Sequence, residues 1–480
     1  AHGSLAVAKI VKGSHPDSKV LFGGYSSTYY QQELIRYPQV DMVMRGDSTE
    51  IPVGELFAAL DKSEDLSSVQ NLTWKEGKVV HENPLTFVPE DIDYIEMDYG
   101  WIIRSVIRHR DLEGHKPFKD WDRYPLTAAF TVRGCQQRCV VCGGCNSAMR
   151  GFLGRQRPAF RSPELVAQDI RNIQDYLKAP TFVVGDVRAG GKHYTERFFS
   201  EVKRLGVDNP VVLELFNPAE GDFYRSASDA FQSYSIEFSP DSHEEQVRYA
   251  LGRRFDTASM EKTVRLALEH DCKRFDLFFM IGLPKQTKES ALESARYSKR
   301  LHGLTSEDRR LYVFESPLAP FLDPGSYAFE HSDEVGYTLL ARSLEEHRSR
   351  LLSPSWKHVL SYETAWMSRD DIVNATYAAA DLLSQVRYES GLIDKGELDA
   401  RLERTQMARE MMQEIDLALA IKDSEVRSSR LEELRERGRE LMESTICRKS
   451  DLEWESRGIL KSVPRAMVGL VKGKKRRKLH

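Results

Sequence analysis

From residue 125 onward, short apolar runs alternate with segments whose apolar positions recur at helical spacing. Leu126 to Val132 reads as a strand. Ser162-Pro163-Glu164 then offers an N-cap, a first-turn proline and an early acid, and Val166, Ile170, Ile173 and Leu177 place one apolar stripe on the helix that follows. Further strands are predicted at Thr181–Val184, Val211–Phe216, Tyr234–Phe238, Arg274–Ile281 and Arg310–Glu315. Helices are predicted at Tyr194–Leu205, Thr257–His270 and Lys288–Leu301. Six strands separated by helices imply a parallel sheet with right-handed crossovers and ligands at the carboxyl ends of its strands. Periodicity alone leaves two forms open, an incomplete barrel and an open doubly wound sheet.

The ends of the chain are patterned differently. A strand within 18–28 breaks at Gly23-Gly24, and a second, from Val40, ends at Gly46 before a helix at Val53–Leu60. That order predicts a Rossmann-like unit over residues 1–70. Residues 71–124 read as a connector, with a small hairpin at Trp74-Lys-Glu-Gly-Lys and with Pro84, Pro89, Pro117 and Pro125 interrupting any long helix. Trp101, Phe118, Trp121 and Tyr124 are expected to dock the domains together. Residues 125–330 hold the alternating core. In residues 331–480 the alternation gives way to helices, including Ile372–Arg387 and a charge-rich run over Glu397–Ser444, in a module expected to cover the core and shape substrate choice.

A chain of 480 residues with 41% hydrophobic content can form two or three cores, and a formal net charge of -4 gives no overall attraction to polyanions. The basic run Lys472-Gly-Lys-Lys-Arg-Arg-Lys has no interleaved aromatic residues and reads as a solvated tail, so a nucleic-acid partner is not expected. No apolar run approaches the roughly eighteen residues of a membrane span. The first residue is Ala1, inside what reads as a domain, so a preceding N-terminal piece is expected.

Composition also bounds the redox setting. Four of the six cysteines fall between Cys135 and Cys145, unlike the scattered pairs of a disulfide scaffold, which points to a reducing, cytoplasmic setting. Cys272 and Cys447 stand alone and are expected to be buried thiols.

The clustered cysteines carry the chemistry. In Thr131-Val-Arg-Gly-Cys-Gln-Gln-Arg-Cys-Val-Val-Cys, thiolates at Cys135, Cys139 and Cys142 on one tight loop can hold three corners of a cubane iron-sulfur cluster and leave the fourth iron open. Cys145 keeps a second reading alive, in which four thiols close a zinc site or a fully ligated electron-carrier cluster. The CxxxCxxC spacing resembles the radical S-adenosylmethionine (SAM) superfamily. That resemblance implies a 4Fe-4S cluster whose open iron chelates SAM, reductive cleavage to a 5'-deoxyadenosyl radical, and a partial (β/α)6 TIM-like barrel. One departure is Val141, where the family usually has an aromatic residue.

The same resemblance assigns SAM contacts at successive strand ends. Gly185 and Asp186 stand at the family's glycine-rich segment, Glu237 and Ser239 at its ribose or methionyl contacts, Arg253 near the SAM carboxylate, and Gly282 and Pro284 in a Gly-x-Pro-x-x-Thr segment along the adenine. Turn geometry alone also accounts for a glycine at a strand end, and a surface position for Arg253.

The N-terminal unit resembles the C-terminal half of the cobalamin-binding domain that precedes many radical SAM cores. Gly23, Gly24, Tyr25, Ser26, Arg45, Gly46 and Asp47 are its implied cobalamin contacts, and a ligand-free Rossmann scaffold is the alternative. The family's Asp-x-His-x-x-Gly loop is absent from this chain; His2 is expected at a helix start and His15 in a turn. Together the resemblances imply a cobalamin-dependent radical SAM enzyme that methylates an unactivated carbon of a small-molecule or lipid substrate. A flavodoxin or ferredoxin would be its reductant. Radical rearrangement without methyl transfer, or a non-catalytic metal protein, are the other readings.

Overall fold

The computed structural model describes residues 2–438 and 449–452. The basic tail, Cys447 and the end of the charged run lie outside the described residues. Six strands, Thr127–Phe130, Thr181–Val184, Val211–Leu215, Tyr234–Asp241, Phe275–Ile281 and Leu311–Pro317, lie side by side in chain order and are all parallel. This is a half-barrel of six strands with helices between them.

Strand alternation sorts the side chains. Leu213, Ile236, Phe238, Leu277, Phe279 and Val313 are buried in one cluster with Val264, Ala267, Ala291 and Ala295 of the outer helices. The opposite face is polar at one level. Glu214 is paired in register with Glu237, Glu237 with Asp276, and Asp276 with Tyr312. These four residues therefore share the inner face of the half-barrel.

The first strand is shorter than the sequence pattern predicts. It leaves the sheet at Thr131, whose hydroxyl donates to Val184 O at 2.5 Å, and Val132–Arg133 pairs instead with Ala159–Phe160. The chain is thereby turned into the cysteine loop. The fourth strand is longer than expected and reaches Asp241 through an irregularity after Phe238.

At the far edge, helix Arg369–Glu389 starts from a Ser368/Asp371 capping box and packs on helix Lys288–Leu304 and on the last strand. Arg387 donates to Val313 O at 3.0 Å, so an arginine satisfies a carbonyl of the unpaired strand edge. Helices Lys395–Leu419 and Ser424–Gly438 follow. Among the described residues no helix is long and apolar enough to cross a membrane.

In the N-terminal unit, Leu21–Phe22 runs parallel to Met42–Met44, with helices His2–Ser14 and Glu50–Lys62 beside them. Leu72–Glu76 and Val79–Glu82 form the hairpin expected at Trp74, and it extends this same sheet. Helix Tyr99–His109 follows. The expectation that Trp101 and Phe118 dock domains is corrected: they are 58% and 44% exposed. Trp121 does anchor, donating from Nε1 to Leu126 O at 2.8 Å.

Candidate active site

The cysteine loop sits beyond the carboxyl end of the first strand and is gripped from two sides. Val140 N donates to Leu251 O at 2.9 Å, and Ala328 N to Val140 O at 2.8 Å. Gly143 N donates to Asp323 Oδ2 at 2.9 Å. Gly252 has φ near +105°, and a Cβ there would come within 2.2 Å of Arg138 O, so only glycine lets the helix end approach the loop this closely. Asp323 and Gly252 escaped sequence reasoning because their partners are far away in the chain.

The thiols suit an iron-sulfur cluster. Cys135 Sγ accepts from Gln137 N and Cys142 Sγ from Gly144 N, each at 3.3 Å, the arrangement a thiolate needs. Burial pushes the Cys139 thiol up to about 11, so a bound cation would be what holds it ionised. Cys145 is buried and its sulfur lies 3.1 Å from Ser147 Oγ, at the start of helix Asn146–Gly151. No three His, Cys, Asp or Glu side chains among the described residues converge to hold a single metal ion. Val141 is buried in the core behind the barrel.

The strand-end residues divide into two groups. Gly185 (φ +93°) and Gly282 (φ +99°) are tight turns: a Cβ would come within 2.9 Å of Thr131 Oγ1 in the first and 3.0 Å of Tyr362 OH in the second. Gln286 Oε1 accepts from Gly282 N at 2.8 Å and Leu283 N at 3.2 Å, fixing the turn that carries buried Pro284. Arg253 is buried rather than on the surface. It donates to Asp241 at 2.8 Å and to Phe216 O at 3.1 Å, and its charge is felt at Cys135 and Cys139.

Asp186, an expected SAM contact, is engaged within the protein. Its carboxylate receives Arg188 Nε at 2.9 Å, Arg188 Nη2 at 2.6 Å and Phe216 N at 3.1 Å, so its acceptors are already filled.

Glu237 and Ser239 lie half-buried on the inner face. Glu214, missed from the sequence, accepts from Gly185 N at 2.8 Å, and Asp276 pairs with Arg274 at 2.8 Å. Glu237 has no hydrogen-bond partner among the described residues. Burial, reinforced by Asp276 and Glu214, pushes its carboxyl up to about 8.

In the N-terminal unit, Gly23, Gly24, Tyr25 and Ser26 form an exposed ledge at a strand end, and a Cβ on Gly24 would meet nothing within 4 Å. A flat ligand can therefore lie on backbone there. The buried Gly46 (φ +101°) turns behind the ledge, its N–H bound to Thr28 Oγ1 at 3.0 Å. Two expected contacts are engaged elsewhere. Arg45 pairs with Glu82 at 2.7 Å, and Asp47 with Arg155 of the cysteine-loop segment. Tyr25 lies within electrostatic range of Asp47, Arg155, Arg133 and Cys142, which places the ledge beside the cysteine loop.

The fold is similar to those of solved cobalamin-dependent radical SAM enzymes. The chain is similar in structure to the radical SAM methyltransferase TsrM of Kitasatospora setae with cobalamin and a [4Fe-4S] cluster bound, at a TM-score of 0.59 and 14% identity, covering 91% of this chain and 85% of that one. It is also similar to the cobalamin-dependent SAM radical enzyme OxsB with aqua-cobalamin bound, at a TM-score of 0.53 and 12% identity, covering 98% and 70%.

By sequence it is 24% identical over 310 residues to an uncharacterized methyltransferase of Pyrococcus horikoshii, 62% of either chain. It is 27% identical over 156 residues to an anaerobic magnesium-protoporphyrin IX monomethyl ester cyclase of Synechocystis sp., 32% of this chain and 28% of that one. The chain thus spans less than two thirds of the length of either relative. No protein-family model matches it.

Proposed function

We propose that the chain is a cobalamin-dependent radical SAM methyltransferase acting on an unactivated carbon. The observation that carries this reading is the meeting of two sites: the CxxxCxxC loop at the mouth of the half-barrel, and an open glycine ledge tied to the segment after that loop by the buried Asp47–Arg155 pair. Cys135, Cys139 and Cys142 would hold a 4Fe-4S cluster. Bound cluster, SAM and cobalamin would supply electron transfer, hydrogen abstraction and a methyl carrier.

The chain's own residues bind and orient. Gly185 and Gly282 present backbone polar groups at the strand ends, Ser239 adds a hydroxyl, and Arg253 brings a buried cation near the loop. Pro284 stiffens the adenine side. Glu237 faces the inner cavity uncommitted, able to accept from a sugar hydroxyl or exchange a proton with bound substrate. Gly23, Gly24, Tyr25, Ser26 and Gly46 would shape the cobalamin seat, with Arg45 and Asp47 bracing it from behind. A small-molecule or lipid substrate would enter the half-barrel, and a flavodoxin or ferredoxin would supply electrons.

Methyl transfer is favoured because two of the similar proteins bear the name methyltransferase. The test is anaerobic incubation with methyl-labelled SAM and a reductant, followed by product mass. Label in an acceptor supports the proposal; 5'-deoxyadenosine without label in any product replaces methyl transfer with a rearrangement.

A further inference from the structure

Strand Leu311–Pro317 is the free edge of the sheet, so a cavity against it can be lined from both faces of the strand. One is present, with a volume of about 140 Å³. From the inner face come Phe278 and Phe314, whose rings stack at 5.0 Å and 16°. From the outer face comes Glu315, and from helix Arg369–Glu389 come Leu383, Ser384 and Arg387.

Glu315 is the unusual member. The residue is only 3% exposed, and neither carboxyl oxygen has a hydrogen-bond partner among the described residues. A carboxyl left this way costs stability unless something satisfies it. Arg387 and Arg401 also line the cavity, but both are bound to Asp451, at 3.0 and 2.8 Å. Burial drives the Glu315 carboxyl well above the usual range, so it is held neutral, able both to donate and to accept.

We infer that this cavity binds a neutral six-membered ring bearing one O–H or N–H, with the ring against Phe278 and Phe314 and the polar hydrogen on Glu315. The size agrees: a dry cavity of about 150 Å³ accepts benzene. The geometry agrees too, since stacked rings offer an apolar face and Glu315 the polar group that fixes orientation. Phe278 and Phe314 belong to the same face of the sheet as Glu237 and Asp276, so the bound ring would lie at the edge of the inner face. It is the part of the substrate held at the open edge, a second step that rests on the proposed function.

The test uses phenol and toluene, equal in shape but differing in the donor, with benzylamine as the charged control. Binding to the full-length holoenzyme is measured by ligand-observed NMR and calorimetry. Phenol is expected to bind about tenfold more tightly than toluene. Glu315→Gln should keep that preference, and Glu315→Leu should abolish it while leaving toluene binding intact or stronger. Equal binding of phenol and toluene to the wild type, no saturable binding of either, or a preference for benzylamine would overturn the inference. The wild-type comparison decides even if Glu315→Leu fails to fold. The readout needs no turnover, so phenol binding without SAM cleavage would sink the proposed function and leave this site standing.

Discussion

Arg155 and Asp47 form a buried ion pair that ties the segment after the cysteine loop to the turn behind the glycine ledge. Arg155 Nη2 lies 3.0 Å from Asp47 Oδ1, and Arg155 Nε also donates to the same carboxylate. Arg155 reaches Ser48 Oγ at 3.2 Å and Pro89 O at 2.9 Å as well. One guanidinium thus sets the spacing between the two halves of the site.

Removing one partner strands the other charge in the interior. Arg155→Met should lower unfolding stability by about 3–5 kcal/mol, read by chemical denaturation. A change below about 1 kcal/mol would mean that water reaches Asp47 and the pair holds nothing.

The helix end at Gly252 should be intolerant of a side chain. Gly252→Ala places a Cβ against Arg138 O and demands φ near +105°, so the loop must move while the barrel core is untouched. Iron bound per chain should fall at least severalfold, with the far-ultraviolet dichroism of the wild type retained. Full iron loading would show that the loop does not depend on this contact.

Cys139 and Cys145 should separate cleanly. Cys145→Ala is expected to keep the cluster's absorption and iron content, and Cys139→Ala to lose both. Equal loss from the two variants would favour four-thiol ligation.

Glu237 imposes a pH dependence whose sign is fixed. Its folded-state value of about 8 lies above its ordinary one, so the folded chain binds the extra proton. The stability this confers is whole below the usual carboxylate range and is lost as pH rises towards about 8. Glu237→Gln should therefore flatten the decline in melting temperature between pH 5 and 8 and be the more stable protein at pH 8.5. An unchanged pH profile would contradict the burial of the Glu237 carboxyl beside Glu214 and Asp276.

Much of the barrel was legible because its signals are local. Thr181–Val184 and the helix at Thr257 follow directly from apolar period. The cysteine loop was legible for the same reason, its three thiols being neighbours in sequence. What stayed hidden depends on pairing across the chain. Asp186 carries the right chemistry in the right place, yet Arg188 two residues on and Phe216 N thirty residues on have filled it. Arg45 is taken by Glu82 from a hairpin that reads as connector. Conversely, Glu214 looks like an ordinary acid in an apolar strand until register places it beside Glu237 and Gly185. Trp101 was expected in an interface because large aromatics are usually buried, but helix Tyr99–His109 leaves it facing outward.

In the proposed function, the loop of Cys135, Cys139 and Cys142 would carry a cluster with one iron open to SAM. Electron paramagnetic resonance of the anaerobically reconstituted, reduced full-length protein, titrated with SAM, tests it most directly. A spectrum that shifts and saturates with SAM, accompanied by 5'-deoxyadenosine, is the predicted result. A cluster signal indifferent to SAM, or zinc in place of iron, would contradict it.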